Sequence, residues 1–200
     1  VGPSRSAAWG WGGLAWPGVW SSAGALASWV VAAVTPSVFT FENWFGVLAN
    51  GEWDVECALD GPSRLACAGT LWGGNLAMVA HLVGTPFLPS VDGGILFLED
   101  VGEHPYRVER MLHQLLHAGV LARQRAVLLG AFTEYQLNAN DAGYDLATAI
   151  AQLRSRISTP IYAGLAFGHV PDMLTLPVGG QCALDIADGR ARLHLFGYRS

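Results

Sequence analysis

The sequence predicts an α/β protein with a parallel β-α-β-α-β sheet closed off by a β-hairpin. Three observations carry this. Short, wholly apolar runs are bounded by glycines and acids, stretches of helical period lie between them, and two alternating segments flank Asp188-Gly189 near the C-terminus. Residues 1–56 differ, being rich in Gly and Trp and poor in charge, so a subdomain boundary is expected near 55–68, dividing 1–56 from 57–200.

Taken in order, Leu71 to Val83 opens with Gly73-Gly74-Asn75 and continues through Leu76, Val79, Ala80 and Val83, a helical period. Gly94-Ile95-Leu96-Phe97-Leu98 reads as a strand buried on both faces. Pro105 suits a first helical turn, Val108, Met111, Leu112, Leu115 and Leu116 form a core stripe, and Gly119 ends the helix. Ala126 to Gly130 is the next strand, Tyr144 to Ile157 the next helix and Pro160 to Ala163 the third strand. Gln181 to Ile186 and Arg190 to Phe196 then form the hairpin around Asp188-Gly189.

With 200 residues, 52% of them hydrophobic and 14% charged, the chain can bury a substantial core. The net charge of -5 includes no run of Lys or Arg that could neutralise a row of phosphates, so no nucleic-acid partner is expected. Cys57, Cys67 and Cys182 form no C-x-x-C pair and leave an odd thiol, which argues for reduced cysteines rather than a disulfide framework or a zinc site. No signal-peptide pattern is seen at the start. Ser6 to Phe41 lacks any charge, which raises a membrane span, but glycines, serines and Pro17 interrupt the run and favour a buried or irregular segment. No membrane partner is expected.

In parallel sheets the chemistry gathers beyond the carboxyl ends of the strands. Three loops qualify: Glu99-Asp100 after the first strand, Thr133-Glu134 after the second, and Gly164 to Pro171, carrying His169, after the third. Glu99 could orient the His169 imidazole, or Glu99 could cap the following helix with His169 an exposed loop residue. Gly2-Pro3-Ser4 is a weak Gly-x-Ser elbow. Glu109, His113 and His117, four apart on one helix, could share a metal, but a solvated polar face is the simpler account. His81 and His194 sit amid apolar neighbours and read as structural, and Gly73-Gly74-Asn75 reads as tight packing rather than a phosphate cradle. No metal or organic cofactor is expected.

Three segments in order carry a resemblance: Ala68-Gly69-Thr70-Leu71-Trp72-Gly73-Gly74-Asn75-Leu76, Leu96-Phe97-Leu98-Glu99-Asp100-Val101-Gly102-Glu103 and Tyr106-Arg107-Val108-Glu109-Arg110. Gly130-Ala131-Phe132-Thr133 and Gly168-His169 follow in the same order. Over roughly residues 60–190 the chain resembles the LD-carboxypeptidases, or muramoyltetrapeptide carboxypeptidases, cytoplasmic homodimeric serine peptidases that remove D-alanine from muropeptide tetrapeptides. The resemblance implies a Ser-Glu-His triad with Glu99 as acid, His169 as base and Ser4, in Gly2-Pro3-Ser4-Arg5-Ser6-Ala7, as nucleophile. It also implies that residues 1–56 are a remnant of an N-terminal α/β subdomain bearing the nucleophile. Pro3 and Arg5 depart from the family elbow, where an aromatic and Asp stand. Two alternatives stay open: a related self-immunity peptidase acting on peptide-nucleotide conjugates, and a non-catalytic muropeptide-binding remnant. Arg107 and Arg110 could hold a substrate carboxylate or pair on the helix surface.

Overall fold

The computed structural model describes residues 21–22 and 37–198. Ser4 and most of the uncharged stretch Ser6 to Phe41 lie outside the described residues. Among the described residues no helix is long and apolar enough to cross a membrane.

The fold is α/β, centred on a seven-stranded mixed sheet. In chain order the elements are β1 (Ser21–Ser22), α1 (Val38–Ala49), β2 (Glu52–Ala58), β3 (Arg64–Asn75), α2 (Leu76–His81), β4 (Ile95–Val101), α3 (Pro105–His117), β5 (Ala126–Thr133), α4 (Leu146–Arg156), β6 (Ile161–Ala163), β7 (Pro177–Val178), β8 (Gln181–Ala187) and β9 (Arg190–Phe196). The strand order is β2-β9-β8-β3-β4-β5-β6, and β1 pairs with β7 apart from it. β3 to β6 are parallel, whereas β2, β9 and β8 add on antiparallel.

The parallel half is apolar on both faces, because helices cover one side and the hairpin half with the 165–178 segment contributes to the other. Leu71, Ile95, Phe97 and Leu128 join one core, while Trp72, Leu96, Leu98, Val127 and Leu129 join the second with α2, α3 and α4. That two-sided burial is why Ile95 to Leu98 and Ala126 to Leu129 read as unbroken apolar runs. In the hairpin, Asp188 and Gly189 both take positive φ (49° and 80°), the geometry a two-residue turn between twisted strands requires.

One element departs from the expectation. Leu71 to Asn75 is the end of β3, and α2 begins only at Leu76. The parallel sheet therefore has four strands where three were expected. Packing decides it: Leu71 and Trp72 are buried, and Gly73 lies opposite Phe97 so closely that an added Cβ would run into the Phe97 carbonyl. The helical period at Leu76, Val79 and Ala80 is real, yet it starts one residue after an Asn75 cap whose Oδ1 accepts from Met78 N at 3.1 Å.

α1 turns its small and polar residues inward. Thr40 donates to the Pro171 carbonyl (2.9 Å) and accepts from Met173 N (2.9 Å), and Asn43 accepts from the Trp53 indole (3.1 Å). Val38, Phe41, Phe45 and Leu48 face outward and are exposed. β2 runs across the expected 56/57 division and pairs with β9 along its whole length.

Candidate active site

The carboxyl ends of β3, β4 and β5 and the loop after β6 meet at one edge of the sheet, as the parallel order demands. β4 delivers Glu99 and Asp100 there, 6% and 3% exposed. β3 delivers Asn75. The loop after β6 is pinned back across the edge, with Leu165 N donating to Leu129 O (3.1 Å) and Ala131 N to Phe167 O (2.8 Å). Phe167 also packs edge-on against Phe97, with centroids 4.9 Å apart. These bonds carry Gly168-His169 over β5 to β4.

An irregularity in β5 makes room for the crossing. Leu98 pairs with Leu129 but Asp100 with Phe132, so β5 holds one extra residue opposite Glu99. Gly130 sits at that bulge, and a Cβ there would approach Phe167 O to 2.5 Å. Gly168 has φ 115°, and its own Cβ would stand 2.9 Å from Glu99 Oε2. Both positions need glycine for the loop to lie against Glu99.

The structure thus brings two of the expected residues together: His169 Nδ1 lies 3.5 Å from Glu99 Oε2, with the imidazole a quarter exposed and the carboxylate almost enclosed. The separation is at the long end of hydrogen-bond reach. Burial pushes the Glu99 carboxyl above the ordinary glutamate range, the neighbouring Asp100 adds to that, and His169 and Asn75 oppose it. Asp100 is held by three donors: Val101 N (2.9 Å), Ala77 N (2.9 Å) and Asn75 Nδ2 (2.9 Å). The Asn75 amide also lies 3.4 Å from Glu99 Oε1. Glu99 does not cap the following helix; α3 begins at Pro105 with His104 as its cap residue, and it is Asp100 that receives the first turn of α2. The loop after β6 and the bulge in β5 also line a hollow of about 330 Å³, through Gly130, Ala131, Gly164, Leu165, Val170 and Asp172; neither Glu99 nor His169 lines it.

Other candidates fall elsewhere. Glu134 is exposed, at φ 58°. His113 and His117 have ring centroids 6.1 Å apart on α3, and the described residues contain no group of three or more metal-ligating side chains. His81 is exposed at the end of α2, and His194 is half-exposed, stacked on Phe196 with centroids 5.3 Å apart and with Nδ1 3.0 Å from Asp54 Oδ1, so neither is a buried core histidine. The reason for His194 is period two: Leu193 and Leu195 point into the core and His194 points out. Arg107 pairs with Glu103 (3.8 Å) along α3 and reaches the Tyr106 hydroxyl. Among the three free thiols, burial pushes Cys57 up to about 11 and Cys182 up to about 12, which keeps both protonated and poor nucleophiles. Sequence reasoning passed over the Asn75–Asp100 bridge; an Asn between a strand end and a helical period is the cap signal that could have drawn attention to it.

An acid beside an imidazole at the carboxyl edge of a parallel sheet is an arrangement that can serve as the acid–base half of a nucleophilic hydrolase apparatus. Residues 68–184 match the family described as the LD-carboxypeptidase C-terminal domain, and the chain belongs to it. A murein tetrapeptide carboxypeptidase of Pseudomonas aeruginosa is 36% identical over 118 residues, covering 58% of this chain and 38% of that protein. The chain covers 39% of the length of matched proteins from Synechocystis, Streptomyces coelicolor and Bacillus subtilis. Among solved structures, a muramoyltetrapeptide carboxypeptidase from Oxalobacter formigenes superposes with TM-score 0.78 at 46% identity, over 82% of this chain and 56% of that one. An MccF-like protein from Bacillus anthracis superposes at 0.66 and 18% identity, over 82% of this chain and 57% of that one, a likeness of fold alone.

Proposed function

We propose that the chain is the acid-and-base-bearing part of a serine LD-carboxypeptidase that removes the terminal D-alanine from muropeptide tetrapeptides during peptidoglycan recycling. The observation that carries the reading is the Glu99–His169 pair, at 3.5 Å on the carboxyl edge of the parallel strands. The 46% identity to a muramoyltetrapeptide carboxypeptidase supports that substrate class over the peptide-nucleotide conjugates of the self-immunity alternative, whose relatives share the fold only.

In this reading Ser4 Oγ attacks the carbonyl that joins the diamino acid to D-alanine. His169 takes the hydroxyl proton and hands it to the departing amine, releasing D-alanine. Water then hydrolyses the acyl-enzyme by the same base. Glu99 holds the imidazole with a proton on Nδ1, leaving Nε2 free to act, and stabilises the imidazolium once formed. Residues 1–56 belong, in the same reading, to an N-terminal nucleophile-bearing subdomain, and the enzyme works as a cytoplasmic homodimer.

The test is D-alanine release from L-Ala-γ-D-Glu-meso-diaminopimelate-D-Ala, by this chain and by a form extended upstream from the source DNA. Release is expected in the extended form, and His169→Ala should lower it at least about 100-fold, the usual contribution of a general base. Release that survives His169→Ala would overturn the base assignment. Tetrapeptide binding without release in either form would favour the non-catalytic remnant instead.

A further inference from the structure

Glu99 and Asp100 are adjacent buried acids whose charges repel, and an amide stands between them. The Asn75 amide is fixed in one orientation, because its Oδ1 accepts from Met78 N (3.1 Å) at the start of α2. Its Nδ2 therefore faces the acids, 2.9 Å from Asp100 Oδ1 and 3.4 Å from Glu99 Oε1. A flipped amide would set an oxygen against two carboxylates and lose the helix cap. Asp100 is fixed in turn, since Val101 N donates to Oδ1 (2.9 Å) and Ala77 N to Oδ2 (2.9 Å), each from backbone that cannot turn away. The series ends at Glu99, whose other oxygen, Oε2, meets His169 Nδ1.

We infer that Asp100 is a positioning residue: acting through Asn75, it aims Glu99 Oε2 at His169 and so sets the imidazole tautomer. The inference rests on the reading of Glu99 and His169 as the acid–base pair. Of the two acids at the end of β4, one faces the imidazole and the other holds the group that steers the first. Asp100 suits the second task because three donors satisfy it and none of them comes from His169. A carboxylate is needed there rather than an amide. With Val101 N and Ala77 N on separate oxygens, either orientation of an asparagine sets its NH₂ against a backbone N–H, and its remaining oxygen can no longer satisfy all three donors.

The experiment is ¹⁵N NMR of the His169 ring in this 200-residue chain, comparing parent, Asp100→Asn, Asn75→Ser and Glu99→Gln. Serine at 75 can still cap α2 but is too short to span both acids. In the parent the neutral imidazole should carry its proton on Nδ1. Asp100→Asn and Asn75→Ser should each lower the Nδ1–H to Nε2–H ratio about fivefold, the factor that accompanies one hydrogen bond of ordinary net strength. A purely structural role would lower the melting temperature and leave the ratio alone, and an unchanged ratio in both variants overturns the inference. If Asp100→Asn does not fold, Asn75→Ser decides by itself. Glu99→Gln separates the two levels. If it moves the ratio and the other two do not, only the role of Asp100 fails; if it too leaves the ratio unmoved, the acid–base pair itself is wrong.

Discussion

Among the described residues, histidine–carboxylate contacts stand on opposite halves of one sheet, and the shorter one is not the candidate site; another, His104 Nε2 to Asp141 Oδ2 at 3.3 Å, lies off the sheet, between the start of α3 and the loop before α4. On the antiparallel half, His194 Nδ1 lies 3.0 Å from Asp54 on exposed, cross-paired strands, with Arg192 on the same carboxylate at 3.1 Å. On the parallel half, His169 Nδ1 lies 3.5 Å from a Glu99 that is nearly enclosed. What separates the two contacts is their surroundings rather than their length. In water a 3.0 Å contact between exposed partners is a weak, screened interaction. The Glu99–His169 contact lies at the edge where parallel strands collect their loops, and its carboxyl is shifted by burial.

Turn geometry offers the sharpest way to break the comparison, because both halves rely on a glycine at positive φ. Gly168 (φ 115°) lies against Glu99 and the Ala131 carbonyl, whereas an added Cβ at Gly189 (φ 80°) would meet nothing nearer than Leu59 O at 3.7 Å. Gly168→Ala is expected to cost about 2–3 kcal/mol in denaturant unfolding, strain and contact adding together, and to shift the His169 resonances. Gly189→Asn should cost less than about 1 kcal/mol, since asparagine tolerates the left-handed region. Equal costs would mean that the candidate-site edge is no more tightly specified than the hairpin.

The next contrast is in pH. Burial raises the Glu99 carboxyl, so the folded state holds that proton more firmly than the unfolded chain. Its stabilising contribution is complete below the ordinary range near 4.5 and is lost as pH rises through the raised folded value. Glu99→Gln should therefore match the parent in acid and become the more stable protein as pH climbs toward neutrality, measured as melting temperature from pH 4 to 8. A gain that is flat with pH would mean that the folded protein does not hold the proton more firmly. Such a gain, alongside lost function, is the usual signature of a site that stores strain.

Much of this was legible in the sequence, and what was not has physical causes. Ile95 to Leu98 and Ala126 to Leu129 announced themselves because burial on both faces leaves no polar residue to interrupt the run. Asp188-Gly189 fixed the hairpin because few pairs accept two positive φ angles. Glu99 and His169 were visible as the first polar groups beyond two strands. Their meeting was not, because it depends on one extra residue in β5 and on the path of a loop, neither of which has a periodicity. Leu71 to Asn75 was misassigned to the following helix since Gly73-Gly74 supports neither period and only the approach to Phe97 settles it. The inward face of α1 was also hidden, because Thr40, Asn43 and Gly46 are not residues that a core stripe would nominate.

The smallest effect completes the comparison from the antiparallel side. The Arg192 guanidinium bond, with help from His194, holds the Asp54 carboxyl below its ordinary value, the opposite direction to Glu99. Stability from Asp54 is therefore present above about 3.8 and is lost as pH falls through the lowered folded value. Asp54→Asn should be slightly less stable than the parent at neutral pH and should converge with it in strong acid, the mirror image of Glu99→Gln. A double-mutant cycle between Asp54→Asn and His194→Gln should give a coupling of about 0.2–1 kcal/mol that shrinks in 1 M salt. D-alanine release, where the chain or its extended form supports it, should be unaffected, since β2 and β9 add on the side of the sheet away from β4. A coupling well above that range, or a loss of release, would mean that the short exposed contact carries more than its solvent exposure allows.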